Sequence, residues 1–384
     1  MSSRQIEAPD GDARDYVIAL RPLCDHPDLA ADWQSLERRS PHSFFQSWDW
    51  IGCWLDMLPD AITPLVLEAR AGDSLVALAV LVEGRQRRRG VITSKTLRLT
   101  ETGDPRIDEV TIEHNGILCD RDHAAAAVPA ILRYLGAALA RGRWDEVFLP
   151  GVAPDYGALA AAACPNLLVW KRDVSHVVDC DAVRAAGGDY LAQLGKKTRQ
   201  HLRRTLRLYE ARGAVAVTAA RTTQEALDFF ESLMALHQAD WTSRGEAGAF
   251  QDPWFVDFHQ KLIRRCFDKG YIQLLRMAAG AHTIGYSYHF LYQGRVYSYQ
   301  WGLTAEDDPK INYGVASDYL AVVHNLERGA KVFDFLHGDS LHKRRLGTDS
   351  EERLWLVMQR KRLDLRVENA LRDLKRRYAG GGHT

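Results

Sequence analysis

The ionisable residues of this chain are densest in FDFLHGDSLHK (333–343), where Asp334, His337, Asp339, His342 and Lys343 follow one another closely. The run Val332–Leu336 reads as a strand that ends before Gly338. Asp334 sits between Phe333 and Phe335, so its carboxylate projects from the opposite strand face to the two aromatics. There it can orient an amine nucleophile or take its proton, or it can be held by a neighbouring arginine. Lys343 can neutralise the oxyanion of a tetrahedral intermediate, or simply be a solvated lysine. His337 and Asp339 are candidate substrate contacts. The two histidines are too loosely spaced to make a metal pair, and no metal is expected.

A second group lies just upstream. The segment Asn312-Tyr313-Gly314-Val315 opens a helix, and a helix N-terminus offers free backbone N–H groups to an anion such as a pyrophosphate. Gly314 either allows that close approach or only makes the turn. Arg199, Arg203 and Arg207 recur one helical turn apart and can hold an anionic acceptor or form a solvated charged face.

These groups must be positioned by regular elements. Strands are predicted at 65–69, 75–82, 92–100, 107–112 and 146–149, with helices at 47–58, behind Ser47 as its cap, and at 123–141. Further on, helices are predicted at 190–209, 222–241, from Asp252-Pro253, and at 314–328, where Val315, Tyr319, Val323 and Leu326 share one face. Strands are predicted at 272–278, 283–292, 296–302, 332–336 and 353–358, and a last helix at 361–378. The order repeats: EARAGDSLVALAVLVEGR (68–85) parallels LRMAAGAHTIGYSYHFLYQGR (275–295), and ARGRWDEVFLPG (140–151) parallels ERGAKVFDFLHG (327–338). Gly142/Gly151 and Gly329/Gly338 fall at equal spacing, so the chain reads as duplicated. The pattern implies an α+β fold.

The chain resembles the GNAT superfamily, and specifically the CelD-like acetyltransferases, which are related in fold to the Fem-type peptidyltransferases. The resemblance is carried by FFQSWDWIGCWL (44–55), KKTRQHLRRTLRLYEARG (196–213), LHQADWTSRGEAGAF (236–250), GLTAEDDPKINYGVASDYL (302–320) and FDFLHGDSLHK (333–343), in that order. It implies tandem GNAT-like α/β halves, each a mixed twisted sheet flanked by helices. The expected division is a tail over 1–15, an N-terminal half over 16–180 without donor binding, a C-terminal half over 181–378 with the acyl-donor site, and a tail over 379–384. The helix of the first half is introduced by Asp120 and Asp122, whose carboxylates would repel a phosphate. The resemblance also places Trp241 and Arg244 in a loop that walls the acceptor cavity. The family's Gly-acidic pair followed by Tyr-Lys is matched by Gly338-Asp339 and Lys343, but His342 stands at the tyrosine position.

The expected activity is N-acyl transfer from acetyl-CoA or another acyl-CoA to an amine of a small molecule, a sugar or an envelope precursor, by direct attack in a ternary complex. Alternatives are a Fem-like aminoacyl-tRNA-dependent transferase and a non-catalytic GNAT-pair scaffold. Lys+Arg 50 against Asp+Glu 50 provides no global field for DNA. No apolar run approaches membrane-spanning length, and the N-terminus has no signal-peptide pattern, so membrane insertion is not expected and a cytoplasmic location is. The six cysteines stand singly, as buried reduced thiols would. Acceptor, acyl length and oligomeric state are left open.

Overall fold

The computed structural model describes residues 16–88, 92–110 and 112–379. The first stretch forms β1 (Tyr16–Pro22), α1 (Leu29–Glu37), α2 (Trp48–Leu55), β2 (Pro64–Ala71), β3 (Ser74–Arg88), β4 (Ile92–Leu99) and β5 (Leu118–Cys119). Then come α3 (Ala124–Ala140), β6 (Glu146–Val152), α4 (Asp155–Ala163), β7 (Leu167–Asp179), α5 (Cys180–Ala185), α6 (Tyr190–Gln193) and α7 (Lys196–Glu210). The chain continues with β8 (Val215–Ala219), α8 (Thr223–Ser243), α9 (Pro253–Cys266), β9 (Ile272–Ala279), β10 (His282–Tyr292) and β11 (Arg295–Leu303). It ends with α10 (Tyr313–Glu327), β12 (Val332–His337), α11 (Leu341–Leu346), β13 (Asp349–Gln359) and α12 (Leu363–Ala379).

Two compact units are present. Unit 1 holds the described residues of Met1–Trp48, Leu58–Arg172 and Leu354–Thr384; unit 2 holds Asp49–Met57 and Asp173–Arg353. A cut at residue 180 would put Asp49–Met57 and the C-terminal segment on the other sides. Pairing and packing decide otherwise. The end of β13 pairs antiparallel with β6, from Leu354↔Val152 to Gln359↔Glu146. Trp50 packs edge-on against Phe258 of α9, 5.1 Å between ring centres. The tails expected at 1–15 and 379–384 lie outside the described residues, except for Ala379, which ends α12.

In unit 1 the strand order is β1-β2-β3-β4-β6-β13, and in unit 2 it is β8-β9-β10-β11-β12-β7. The two orders are equivalent. In each, a hairpin leads to a parallel pair, β4 with β6 and β11 with β12, joined through one long helix, α3 or α10. Such a crossover needs a helix because parallel strands cannot be joined by a tight turn. Gly142 and Gly329 both take positive φ, 77° and 86°, just after those helices. The fold is therefore α+β with a mixed sheet flanked by helices, and the repeated passages of sequence fall on equivalent elements.

Unit 2 has a core on each side of its strands. Leu275, Met277, Ile284, Val296 and Phe333 pack with Leu202 and Tyr209 of α7 and with Ala316, Ala321 and Val322 of α10. On the other face Tyr288 and Phe290 meet an aromatic set that includes Phe230 of α8 and Trp50. α8 lies so close to β11 that a Cβ on Gly302 would stand 2.2 Å from the Leu233 carbonyl oxygen. Only glycine fits at that crossing.

Several expected elements differ. Residues 107–110 form turns, closed by Asp108 accepting from the amides of Thr102 (2.7 Å) and Gly103 (2.7 Å). The Ser47 hydroxyl donates to the Phe44 carbonyl, 2.6 Å, at the end of a 3-10 turn that leads directly into α2. The single helix expected over 190–209 breaks at Leu194-Gly195 into α6 and α7. Five cysteines are buried free thiols, whereas Cys24 is exposed. Among the described residues no helix is long and apolar enough to cross a membrane.

Candidate functional site

The parallel pairing of β11 and β12 is short. It covers Arg295–Tyr297 against Val332–Asp334 and then ends. β12 goes on to meet β7 at His337↔Ser175, while β11 continues beside β10 to Leu303. The two strands therefore part, and the edge of β11 beyond Tyr297 loses its ladder partner on that side. A bulge at Tyr299, where Gln300 faces Tyr288 but Ser298 faces His289, adds a local twist to the same stretch.

The N-terminus of α10 follows the end of β11. Asn312 caps it, its side chain accepting from the Val315 amide at 3.2 Å. The Asn312 amide in turn donates to Thr205 Oγ1 of α7, 3.2 Å away. Gly314 faces open space, with no heavy atom within 4 Å of where a Cβ would stand. The candidate donor residues Asn312, Tyr313, Gly314 and Val315 thus form one helix start tied to α7, with Asn312 exposed and the other three half-buried. On α7, Arg203 and Arg207 are exposed and Arg199 is half-buried, donating to the Ala192 carbonyl at 2.8 Å. Lys196, Lys197 and Arg204 add to the exposed cations of that helix.

At the other end of the parting, the expected cluster divides. Asp334 is fully buried. One carboxylate oxygen accepts from Arg295 through Nε (3.0 Å) and Nη2 (2.7 Å); the other accepts from the Leu336 amide (2.8 Å) and the Ser175 hydroxyl. A carboxylate so enclosed and so fully engaged has no position open to an acceptor amine, which corrects the expectation that it is the base. It instead shapes the end of β12, where Leu336 adopts a left-handed φ of 58°. Asp339 also turns away. It pairs with Arg344 and His176, and these bonds hold its carboxyl down at about 2.

Lys343 remains. Its ammonium donates to the carbonyls of His337 (2.7 Å) and Leu336 (3.3 Å), which leaves one N–H to direct elsewhere. His337 contributes its backbone here. Beside Lys343 stand two groups that local sequence reasoning did not single out as a pair. Asp318, in the second turn of α10, is 6% exposed, and His342 Nε2 lies 3.4 Å from its carboxylate. Burial raises the Asp318 carboxyl to about 7 against the pull of Lys343, and burial together with Lys343 lowers His342. Both groups are thus biased toward their uncharged forms, as a proton-exchanging pair needs near neutral pH. The available signal was a carboxylate four residues after Gly314, on a helix whose flanking residues are Ala, Ser and Tyr.

Trp241 and Arg244 fall at the end of α8. Arg244 pairs with Asp240 one turn back (2.6 Å, exposed), an interaction worth only a few tenths of a kcal/mol. Trp241 stacks on His237 at 5.5 Å, and His237 Nδ1 lies 2.9 Å from the Trp301 carbonyl on β11. The end of α8 is thereby fastened to the free stretch of β11. In unit 1 the start of α3 is different: Arg39 occupies Asp120 at 2.6 Å, and Asp120 accepts from the Asp122 amide. Among the described residues no group of three His, Cys, Asp or Glu side chains could hold a metal ion.

No curated protein sequence matches the chain. Among solved structures it is similar to FemX, with TM-score 0.54 and 12% identity over 85% of this chain and 95% of that one. It is also similar to L-PGS from Bacillus licheniformis, with TM-score 0.51 and 11% identity over 90% and 96%. At such identities the likeness is one of fold. The segment from α7 to α11, residues 196–344, matches the acetyltransferase (GNAT) domain family.

Proposed function

We propose that this chain is an N-acyltransferase that takes its acyl group from a coenzyme A thioester bound in unit 2. The observation that carries the reading is the parting of β11 and β12 beside the start of α10, where the Tyr313 and Gly314 amides precede the one that Asn312 caps. A pantetheine arm needs a slot with unpaired backbone groups along it, and a pyrophosphate needs free N–H groups at a helix start; the two lie next to each other here. Past the slot, His342 and Asp318 take a proton from the acceptor amine, and the spare N–H of Lys343 meets the negative charge that develops on the carbonyl oxygen. Trp241 lines the acceptor side. The acceptor is an amine on a small molecule, a sugar or an envelope precursor.

Titration of coenzyme A and acetyl-CoA by calorimetry tests the donor. One molecule should bind per chain, because the helix start in unit 1 is taken by the Arg39–Asp120 pair. Gly314→Asp should weaken binding by about tenfold or more, that is ~1.4 kcal/mol, by bringing negative charge to the phosphate position. The open space at Gly314 and the favourable effect of an acidic residue in a first helical turn, a few tenths of a kcal/mol, should keep the variant folded. Unchanged affinity removes this site, and two molecules per chain would restore a donor site to unit 1.

One observation favours a second reading, an aminoacyl-tRNA donor. The exposed cations of α7 sit on the helix that holds the Asn312 loop. Under that reading tRNA binds with an affinity that falls steeply with salt, and coenzyme A does not bind at all.

A further inference from the structure

His342 makes a hydrogen bond that amine acylation does not use. Its Nδ1 lies 3.1 Å from the hydroxyl oxygen of Ser340. With Nε2 turned to Asp318 at 3.4 Å, the imidazole links a hydroxyl on one side to a carboxylate on the other. One tautomer suits both contacts: Nε2 carries the proton and faces the Asp318 carboxylate, and Nδ1 accepts from Ser340. Ser340 also caps α11, its oxygen accepting from the Lys343 amide at a long 3.5 Å, but capping needs neither the histidine nor the carboxylate. Asp318 differs from the other two aspartates of this region. Asp334 and Asp339 are each matched to an arginine, whereas Asp318 is buried on α10 and faces His342, Lys343 and the Tyr190 phenol. A carboxylate is costly to bury without a strong cationic partner, so its place against an imidazole is a feature to be explained.

We propose that Ser340 is a nucleophile, and that acyl thioesters and activated esters acylate it when no amine acceptor is present. This rests on the acyl-transfer reading for its natural donor, but not for its chemistry. The Ser340 proton passes to His342 Nδ1 as Oγ bonds to the carbonyl carbon, and Lys343 meets the oxyanion. The carbon–sulfur bond then breaks, and the departing thiolate takes the proton from His342. Water, deprotonated by the same imidazole, attacks the resulting ester; the carbon–Oγ bond breaks, Oγ recovers its proton, and a free carboxylic acid leaves. The second activity of the site is therefore slow thioester and ester hydrolysis.

The test uses the full chain and two probes, p-nitrophenyl acetate, which needs no coenzyme A site, and acetyl-CoA. With p-nitrophenyl acetate, intact mass should rise by one acetyl group, peptide mapping should place it on Ser340, and a burst of p-nitrophenol should accompany it. Ser340→Ala and His342→Ala should each lose the adduct and the burst, with circular dichroism unchanged. Ser340→Ala should bind coenzyme A like the wild type. An adduct that persists in Ser340→Ala, or the absence of any adduct on the wild type, overturns the proposal. If the adduct forms from p-nitrophenyl acetate while coenzyme A fails to bind, the nucleophile stands and the coenzyme A reading falls.

Discussion

Asp318→Asn should lower turnover in amine acylation by about 10²-fold or more, the range in which a positioned base acts, with coenzyme A affinity nearly unchanged. Asparagine keeps the size of the side chain and its contact with His342 but cannot carry the charge that steadies an imidazolium. A group that acts in the transition state affects turnover rather than ground-state binding. The acidity of Asp318 adds a signature. Its carboxyl is raised to about 7 by burial, with Lys343 opposing, so the wild-type rate should climb as pH rises through that value and the limb should vanish in the variant.

Stability should move the other way. A carboxyl with a folded value above its unfolded one keeps its proton longer in the native state, so stability falls as pH rises from the unfolded value to the folded one. At about pH 8 the wild type carries the whole penalty, and Asp318→Asn, which has no charge to bury, should melt at a higher temperature; near pH 4 the two should melt together. A variant that loses activity and also stability at the higher pH would show Asp318 to be structural. Full activity would remove it from the site.

How much of this was legible in the chain follows from where the signals are local. The helix start at Asn312 and the strand ending at Gly338 were readable because a turn residue and a change of period bound each of them. The parallel passages of sequence pointed to equivalent elements because hairpin, helix and strand keep their spacing under duplication. β7 was not readable, because the polar middle of LLVWKRDVSHVVD hides the alternation; β13 was readable as a strand, but its pairing with the distant β6 was not. The face of α10 was misjudged for a related reason. Val315, Tyr319 and Val323 are only partly buried, while Ala316, Ser317, Asp318, Ala321 and Val322 are buried, because the helix is packed by the sheet on one side and by residues such as Tyr190 on another. A pattern of large apolar residues marks one such side and misses the small ones where Asp318 lies. Asp334 shows the converse limit: its strand position was readable, but Arg295 and Ser175, which occupy its oxygens, are 39 and 159 residues away.

Asp334→Ala should therefore be chiefly a folding defect, with unfolding free energy reduced by roughly 3–5 kcal/mol, the usual cost of removing one partner of a buried ion pair. The loss has two sources. Arg295 would keep Glu351 at 2.9 Å but lose its bond to the buried carboxylate, leaving part of its charge uncompensated inside the unit. The Leu336 amide would lose the acceptor that helps hold the left-handed turn, a conformation in which a leucine is strained by about 1 kcal/mol or more. Because the Leu336 and His337 carbonyls are what Lys343 holds, the turn carries the active groups indirectly, and some activity should be lost with it. Asp334→Asn is the milder case: it can still accept from Arg295 and the Leu336 amide, so it should cost less stability than alanine and keep measurable turnover. Urea titration of both variants, with activity measured well below the unfolding transition, separates the possibilities. If Asp334→Asn unfolds at the wild-type urea concentration yet loses turnover by about 10²-fold, the carboxylate takes part in the chemistry after all, and the assignment of the proton to His342 and Asp318 gives way to it.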